Sequence, residues 1–110
     1  MRDPRFVYVG LSFTGNSPPE PNVPGVDAAI DSESHDWLRF NWLSYILWTP
    51  SECEIIVRKI RRVPGMQDYS VFAAELNFVG SFGFLPPWVW DWLNKDRTEQ
   101  MVEFKSQSPE

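Results

Sequence analysis

The chain has 110 residues, which is enough for one domain of ordinary size and too few for a second independent core. Hydrophobic residues make up 43% of the sequence and charged residues 23%, values typical of a folded globular protein and not of a disordered one. The formal net charge of −5 disfavours a globally basic nucleic-acid binder, and the single cysteine excludes an internal disulfide and a multi-cysteine metal site.

The first third of the chain is predicted to form one strand followed by a long loop. Residues 6–13 are apolar on both alternating faces, a pattern typical of a strand that is covered on two sides. Residues 14–36 contain four prolines and five carboxylate side chains but no lysine or arginine. Because proline blocks both helix and ladder hydrogen bonds, we expect an irregular acidic loop here, with at most one helical turn at residues 26–30.

Residues 37–48 are predicted to form a second strand, which leads into a helix. Apolar side chains share one face of this strand at a period of two: Leu38, Phe40, Trp42, Ile46 and Trp48. The sequence Thr49-Pro50-Ser51-Glu52 then matches a capping box, with proline at the first helical position. Apolar residues recur at helical spacing at Cys53, Ile56, Val57, Ile60 and Val63. We therefore predict a helix over residues 51–63.

The last third is predicted to contain a third strand over residues 69–78 and a second helix, Pro87–Asn94. The helix has an apolar stripe formed by Leu85, Trp88, Val89, Trp92 and Leu93. Trp90 falls off this stripe and is the tryptophan that we expect to be exposed, whereas most of the others are expected in the core. One domain is predicted over residues 1–104, and residues 105–110 are expected to form a flexible tail.

A catalytic or metal site is not indicated by any recognisable motif. In an extended chain, Asp31, Glu33 and the sole histidine, His35, would point the same way and could hold a divalent cation. We favour the alternative that these residues belong to a solvated acidic loop. Cys53 lies on the apolar stripe of its helix and is interpreted as a packing residue. We therefore expect no enzyme activity, no cofactor and no metal.

Binding is indicated more strongly than catalysis, by two groups of side chains. Arg58, Lys59, Arg61 and Arg62 could grip phosphates or an acidic partner, although a solvated helix face that complements the helix dipole is the favoured interpretation. The aromatic content of 15%, with six tryptophans, suggests more large apolar surface than one monomer can bury. The candidate partner-binding residues are Trp88, Trp90, Trp92, Arg58, Arg61 and Arg62.

Residues 44–77 read SYILWTPSECEIIVRKIRRVPGMQDYSVFAAELN, which places a strand, a capped helix and a further strand in succession. This order resembles the second half of a ferredoxin-like β-α-β-β-α-β domain and is similar to the small dimeric proteins of the CRISPR adaptation nuclease superfamily and their toxin-like relatives. The resemblance implies a homodimer formed through the sheet. It carries over no catalytic residue, because the acidic residue that ends the first strand in that family is absent from residues 10–14, GLSFT.

The predicted fold is an α+β two-layer sandwich, ferredoxin-like or related. It has a mainly antiparallel sheet of three or four strands and two helices, with the first helix of such a fold reduced or replaced by the proline-rich loop. The predicted function is a non-catalytic binding or assembly protein that acts as a homo-oligomer, most simply a homodimer, and that has a protein partner. The alternatives are a nucleic-acid-associated protein, a tryptophan-based carbohydrate-binding module and a small metal-dependent hydrolase that would need Asp31, Glu33 and His35. We expect no membrane span and a cytoplasmic location, since no apolar run is long enough to cross a bilayer and the start has no secretory pattern.

Overall fold

A computed structural model describes residues 3–13, 20–77 and 83–97 of the chain. Contacts divide the chain into two compact units, residues 1–77 and residues 78–110. The first unit holds six elements: β1 (Arg5–Ser12), α1 (Val23–Glu33), β2 (Asp36–Asn41), β3 (Ser44–Thr49), α2 (Cys53–Arg61) and β4 (Ser70–Glu75). The second unit holds α3 (Pro87–Leu93).

The four strands of the first unit form one antiparallel sheet in the order β2-β3-β1-β4. α1 connects β1 to β2, and α2 connects β3 to β4, so the chain follows the β-α-β-β-α-β order of a ferredoxin-like domain. The predicted α+β two-layer architecture is therefore confirmed, with four strands in the sheet.

The core lies between the two helices and one face of the sheet. Because strand side chains alternate, every second residue of β1 and β3 points toward the helices, including Val7, Val9, Tyr45 and Leu47. These side chains pack with apolar residues four apart on each helix: Val26 and Ile30 on α1, and Ile56 and Ile60 on α2. The intervening strand residues share the other face of the sheet: Phe6, Tyr8, Leu38, Ile46, Trp48 and Phe72.

The predicted acidic loop is wrong over residues 23–33, where the structure has the 11-residue helix α1. Asn22 caps this helix, its Oδ1 accepting a hydrogen bond from the Gly25 amide at 3.1 Å. Pro24 falls in the first turn, where a missing N–H leaves no bond unmade. The same proline that suggested a break in regular structure is therefore compatible with the start of a helix. Residues 14–19 of the predicted loop lie outside the described residues.

The predicted single strand over residues 37–48 is also wrong, because the chain turns in its middle. β2 and β3 form a hairpin in which Leu38 lies opposite Ile46. At the turn, Asn41 Oδ1 accepts a hydrogen bond from the Leu43 amide at 3.2 Å, which holds the reversal in place. Trp42 is therefore at a hairpin tip and is 60% exposed, whereas the strand pattern placed it among apolar neighbours.

The helix predicted over residues 51–63 is confirmed as α2, but its capping box is not formed. Glu52 is the N-cap residue and makes no side-chain capping bond. Thr49 instead ends β3, where its hydroxyl donates to the Glu33 carbonyl oxygen and accepts from the Ser51 amide. The threonine is thus used to join β3 to the end of α1, and not to start α2.

The second unit is described from residue 83 to residue 97, and α3 confirms the helix predicted there. Val89 is fully buried, as its place on the apolar stripe predicts, whereas Trp88 on the same stripe is 50% exposed. Trp90 is 37% exposed, in line with its predicted position off the stripe. The Arg97 guanidinium lies 4.2 Å from the Trp92 ring centroid and donates to the Trp92 carbonyl oxygen, which closes the helix. Residues 98–110, including the predicted tail, lie outside the described residues.

In the described part of the chain, no helix has both the length and the hydrophobicity that a bilayer crossing requires.

Candidate functional site

The first unit contains a surface groove of about 410 Å³ between α2 and β4. From α2, Cys53 and Val57 line the apolar part of the groove, and Glu54, Arg58 and Arg61 line its outer wall. From β4, the lining consists of Val71, Phe72 and Ala73. We call this concavity the α2–β4 groove. It is an apolar depression with a charged outer wall beside a strand at the end of the sheet.

The spacing of residues along α2 explains why one wall of the groove is charged. Ile56 and Ile60 are directed into the core, and Val57 lies beside them on the side of α2 that faces β4. Glu54, Arg58 and Arg61 follow at intervals of four and three residues, so they form a continuous row along the outer side of the helix. Lys59 projects toward α1, on the other side of α2.

The predicted basic cluster does not act as one patch, because two of its four cations have carboxylate partners. Arg58 forms an ion pair with Glu54 one turn earlier, and Lys59 Nζ lies 2.7 Å from Glu33 Oε2 on α1. Arg61 and Arg62 are exposed, and within the described ranges no carboxylate pairs with either of them. Arg61 lines the groove and Arg62 does not, so only part of the cluster belongs to a concave site.

Polar contacts converge on Glu33 at the end of α1. Ser51 Oγ donates to Glu33 Oε1 at 2.6 Å, and Lys59 Nζ donates to the neighbouring Ser32 Oγ at 2.9 Å. Burial alone would raise the pKa of Glu33, but the hydrogen bonds from Lys59 and Ser51 and the charge of Lys59 together lower it. These contacts join α1, β3 and α2. The side chains of Glu33, Ser32, Ser51 and Lys59 therefore have a structural role.

A second polar contact ties α1 to the sheet. The buried Tyr45 hydroxyl donates to Asp27 Oδ1 at 2.7 Å, and Arg39 Nε lies 3.5 Å from the same oxygen. Burial raises the pKa of Tyr45, the hydrogen bond and the negative charge of Asp27 raise it further, and Arg39 acts in the opposite direction. The phenol is therefore held in its neutral form as a hydrogen-bond donor.

The structure does not bring together the metal candidates Asp31, Glu33 and His35. Asp31 and Glu33 lie two residues apart in α1, and positions two apart do not face each other on a helix, whereas the hypothesis required an extended chain. Asp31 Oδ1 accepts from Trp37 Nε1 at 2.9 Å, and Glu33 is bonded to Ser51 and Lys59. The described residues contain no group of three or more histidine, cysteine or acidic side chains that could hold a metal ion.

Large exposed apolar side chains form the second candidate for a binding surface. In the described part of the chain these are Trp42, Ile55, Phe72, Phe84, Trp88 and Trp90, five of which are aromatic. Phe84, Trp88 and Trp90 belong to the second unit, and Trp92, the third predicted contact residue of α3, is only partly exposed and lies under Arg97.

Sequence reasoning missed the α2–β4 groove, although it identified the residues on one of its sides. The missing information was the place of β4 in the sheet, because a strand pattern does not reveal which strand is last. The sequence gives no clear signal for this place, because an aromatic residue such as Phe72 is expected to be buried. In the structure Phe72 lies on the face opposite Val71 and Ala73 and is 63% exposed. Comparison of the chain with protein-family models, with curated proteins and with solved structures gives no match.

Proposed function

We propose that the protein is a non-catalytic binding protein that assembles as a homo-oligomer through exposed aromatic side chains. The observation that carries this proposal is the concentration of exposed Phe84, Trp88 and Trp90 in and just before α3. Exposed aromatic side chains close together in a chain are typical of contact surfaces, because they bury large area at a small cost in conformational entropy. A homodimer is the simplest assembly that covers such a surface.

The absence of catalysis is part of the proposal, and the pairing of the polar side chains supports it. The hydroxyls of Ser51 and Thr49 and the ammonium of Lys59 are bonded to Glu33, which leaves this cluster in a linking role between elements. We also propose that the protein is located in the cytoplasm. The single, partly buried Cys53 is compatible with a reducing compartment.

Light scattering coupled to size exclusion tests the assembly. We expect a molar mass that is a multiple of the 12.8 kDa chain, most simply twice that value. The double variant Trp88→Ser/Trp90→Ser is expected to lower the mass toward the monomer. Trp42→Ser is the matched control, because Trp42 is also an exposed tryptophan but lies in the hairpin of the first unit. A wild-type chain that stays monomeric at the highest attainable concentration would overturn the proposal.

Two alternative functions remain predictions. A nucleic-acid-associated protein, including a relative of the adaptation nuclease superfamily, would use Arg58, Arg61 and Arg62, but Arg58 is already paired with Glu54. A carbohydrate-binding module would use the exposed faces of Trp88 and Trp90. Salt-dependent binding to DNA or RNA would favour the first, and quenching of tryptophan fluorescence by glycans would favour the second.

A further inference from the structure

β4 lies at the edge of the sheet formed by the described strands, and the direction of its backbone hydrogen-bonding groups can be assigned residue by residue. Among the described strands it pairs with β1 alone. The Leu76 amide donates to the Phe6 carbonyl oxygen at 2.9 Å, and in an antiparallel pair the residues that exchange hydrogen bonds alternate. The even-numbered residues of β4 therefore bond to β1. Val71 and Ala73 direct their amide and carbonyl groups away from it, and among the described residues no backbone group pairs with them.

These outward groups lie along the α2–β4 groove. The side chains of Val71 and Ala73 point toward α2, and the side chain of Phe72 points to the opposite face of the sheet. An extended segment added beside β4 would hydrogen-bond to Val71 and Ala73. Its side chains on one face would meet the outer wall of α2, and those on the other face would meet Phe72.

The arginines on the outer wall of the groove favour a segment with acidic side chains. Arg61 has no carboxylate partner in the described part of the chain, and the positive charge of Arg58 is partly neutralised by its ion pair with Glu54. A segment that places carboxylates on the side facing α2 would supply the missing partner. Apolar side chains at the alternate positions would cover Phe72, which is otherwise largely exposed.

A second copy of this chain fits the groove less well than such a segment. Paired edge to edge, the copy's β4 would present Val71 and Ala73 toward α2 and no acidic side chain at those positions. The nearest acid on the strand, Glu75, is bonded to Arg5 Nη2 at 3.0 Å. At these positions the copy's β4 would supply no carboxylate for Arg61.

We propose that the α2–β4 groove binds an extended acidic segment of a partner protein by strand addition to the edge of β4. The partner segment alternates acidic and apolar residues, with the acids directed at Arg61 and Arg58. This inference does not rest on homo-oligomer formation, which uses the second unit. A monomeric molar mass would remove that function and leave the groove proposal untouched.

The test uses the full-length protein and a synthetic probe, the fluorescein-labelled hexapeptide amide with the sequence Glu-Val-Glu-Val-Glu-Val. We expect a saturable rise in fluorescence anisotropy, and a peptide with lysine in place of glutamate is expected not to bind. Arg61→Glu should weaken binding by roughly threefold to tenfold. Arg62→Glu is the matched control, since it changes the net charge equally on an exposed residue outside the groove. Circular dichroism verifies that both variants are folded.

Backbone methylation separates strand addition from simple charge attraction. In an added strand only alternate amides face β4, so methylating one alternate set should abolish binding, and methylating the other set should leave it largely intact. The set that matters also reports whether the segment runs antiparallel or parallel to β4. Failure of the unmethylated peptide to bind would overturn the proposal, as would equal effects of the two methylated sets or of the two arginine variants. If the peptide fails and Arg61→Glu lowers the molar mass of an oligomer, a second copy occupies the groove.

Discussion

At the scale of single residues, Glu33 has the clearest energetic consequence. Its carboxylate is bonded to Ser51 and Lys59 and is largely buried, so Glu33→Gln should lower the free energy of unfolding by about 1–2 kcal/mol at pH 7. Because folding lowers the pKa of Glu33 from its ordinary value of 4.5, this stabilisation is present above about pH 4.5. It is lost as the pH falls through the folded-state value.

Urea unfolding at pH 7 and pH 3 measures this effect. We expect the difference between wild type and Glu33→Gln to narrow at pH 3, because pH 3 lies below the ordinary pKa of 4.5 and the contribution of the charge decreases as the unfolded chain takes up a proton. Glu54→Gln is the control, since the Glu54–Arg58 pair is exposed and is expected to change stability by less than about 0.5 kcal/mol. A gap that stays equally wide at both pH values would show that Glu33 stabilises the fold without its charge.

At the scale of elements, α2 offers two adjacent isoleucines with opposite environments. Ile56 is 1% exposed in the core, and Ile55 is 48% exposed. Ile56→Ala should therefore lower the free energy of unfolding by about 2–5 kcal/mol, whereas Ile55→Ala should change it by less than about 1 kcal/mol. Urea midpoints of the two variants decide this, and similar losses would mean that α2 is rotated about its axis.

The elements predicted correctly are those in which one signal dominates. α2 has an uninterrupted apolar stripe, and its acidic first turn and basic last turn agree with the helix dipole. α1 was missed because prolines were interpreted as breaks, although Asn22 before Pro24 is a good start for a helix. The hairpin was missed because Trp42 and Leu43 continue the apolar run through the turn, and only Asn41 marked it.

In the candidate site, too, local features could be predicted from the sequence and features of the sheet could not. Arg58 and Arg61 could be identified from the sequence, because their helical spacing is a local property. The Glu54–Arg58 ion pair is equally local, because the two residues lie one turn apart on α2. The place of β4 at the edge of the sheet could not be identified, because it depends on the order of the strands. The stripe of α3 predicts that Trp88 is buried, whereas its side chain is 50% exposed, because a stripe on a seven-residue helix does not specify how much of each side chain is covered.

At the scale of the whole molecule, the division into two units gives a direct prediction. The apolar cluster between the helices and the sheet lies entirely within residues 7–73, in the first unit. A chain that ends at residue 77 should therefore fold and unfold cooperatively in urea, as followed by the fluorescence of Trp37, Trp42 and Trp48. A gradual change in fluorescence without a transition would show that the first unit needs residues 78–110 for its stability.

The central place of β1 has a consequence for biosynthesis. β1 leaves the ribosome before the other described elements, yet its two neighbours in the sheet, β3 and β4, are translated much later. Val7, Val9 and Leu11 thus emerge before α2, which packs on them, and before the strands that pair with β1. A chaperone that recognises short apolar stretches is therefore expected to bind this strand before β3 and β4 have paired with it.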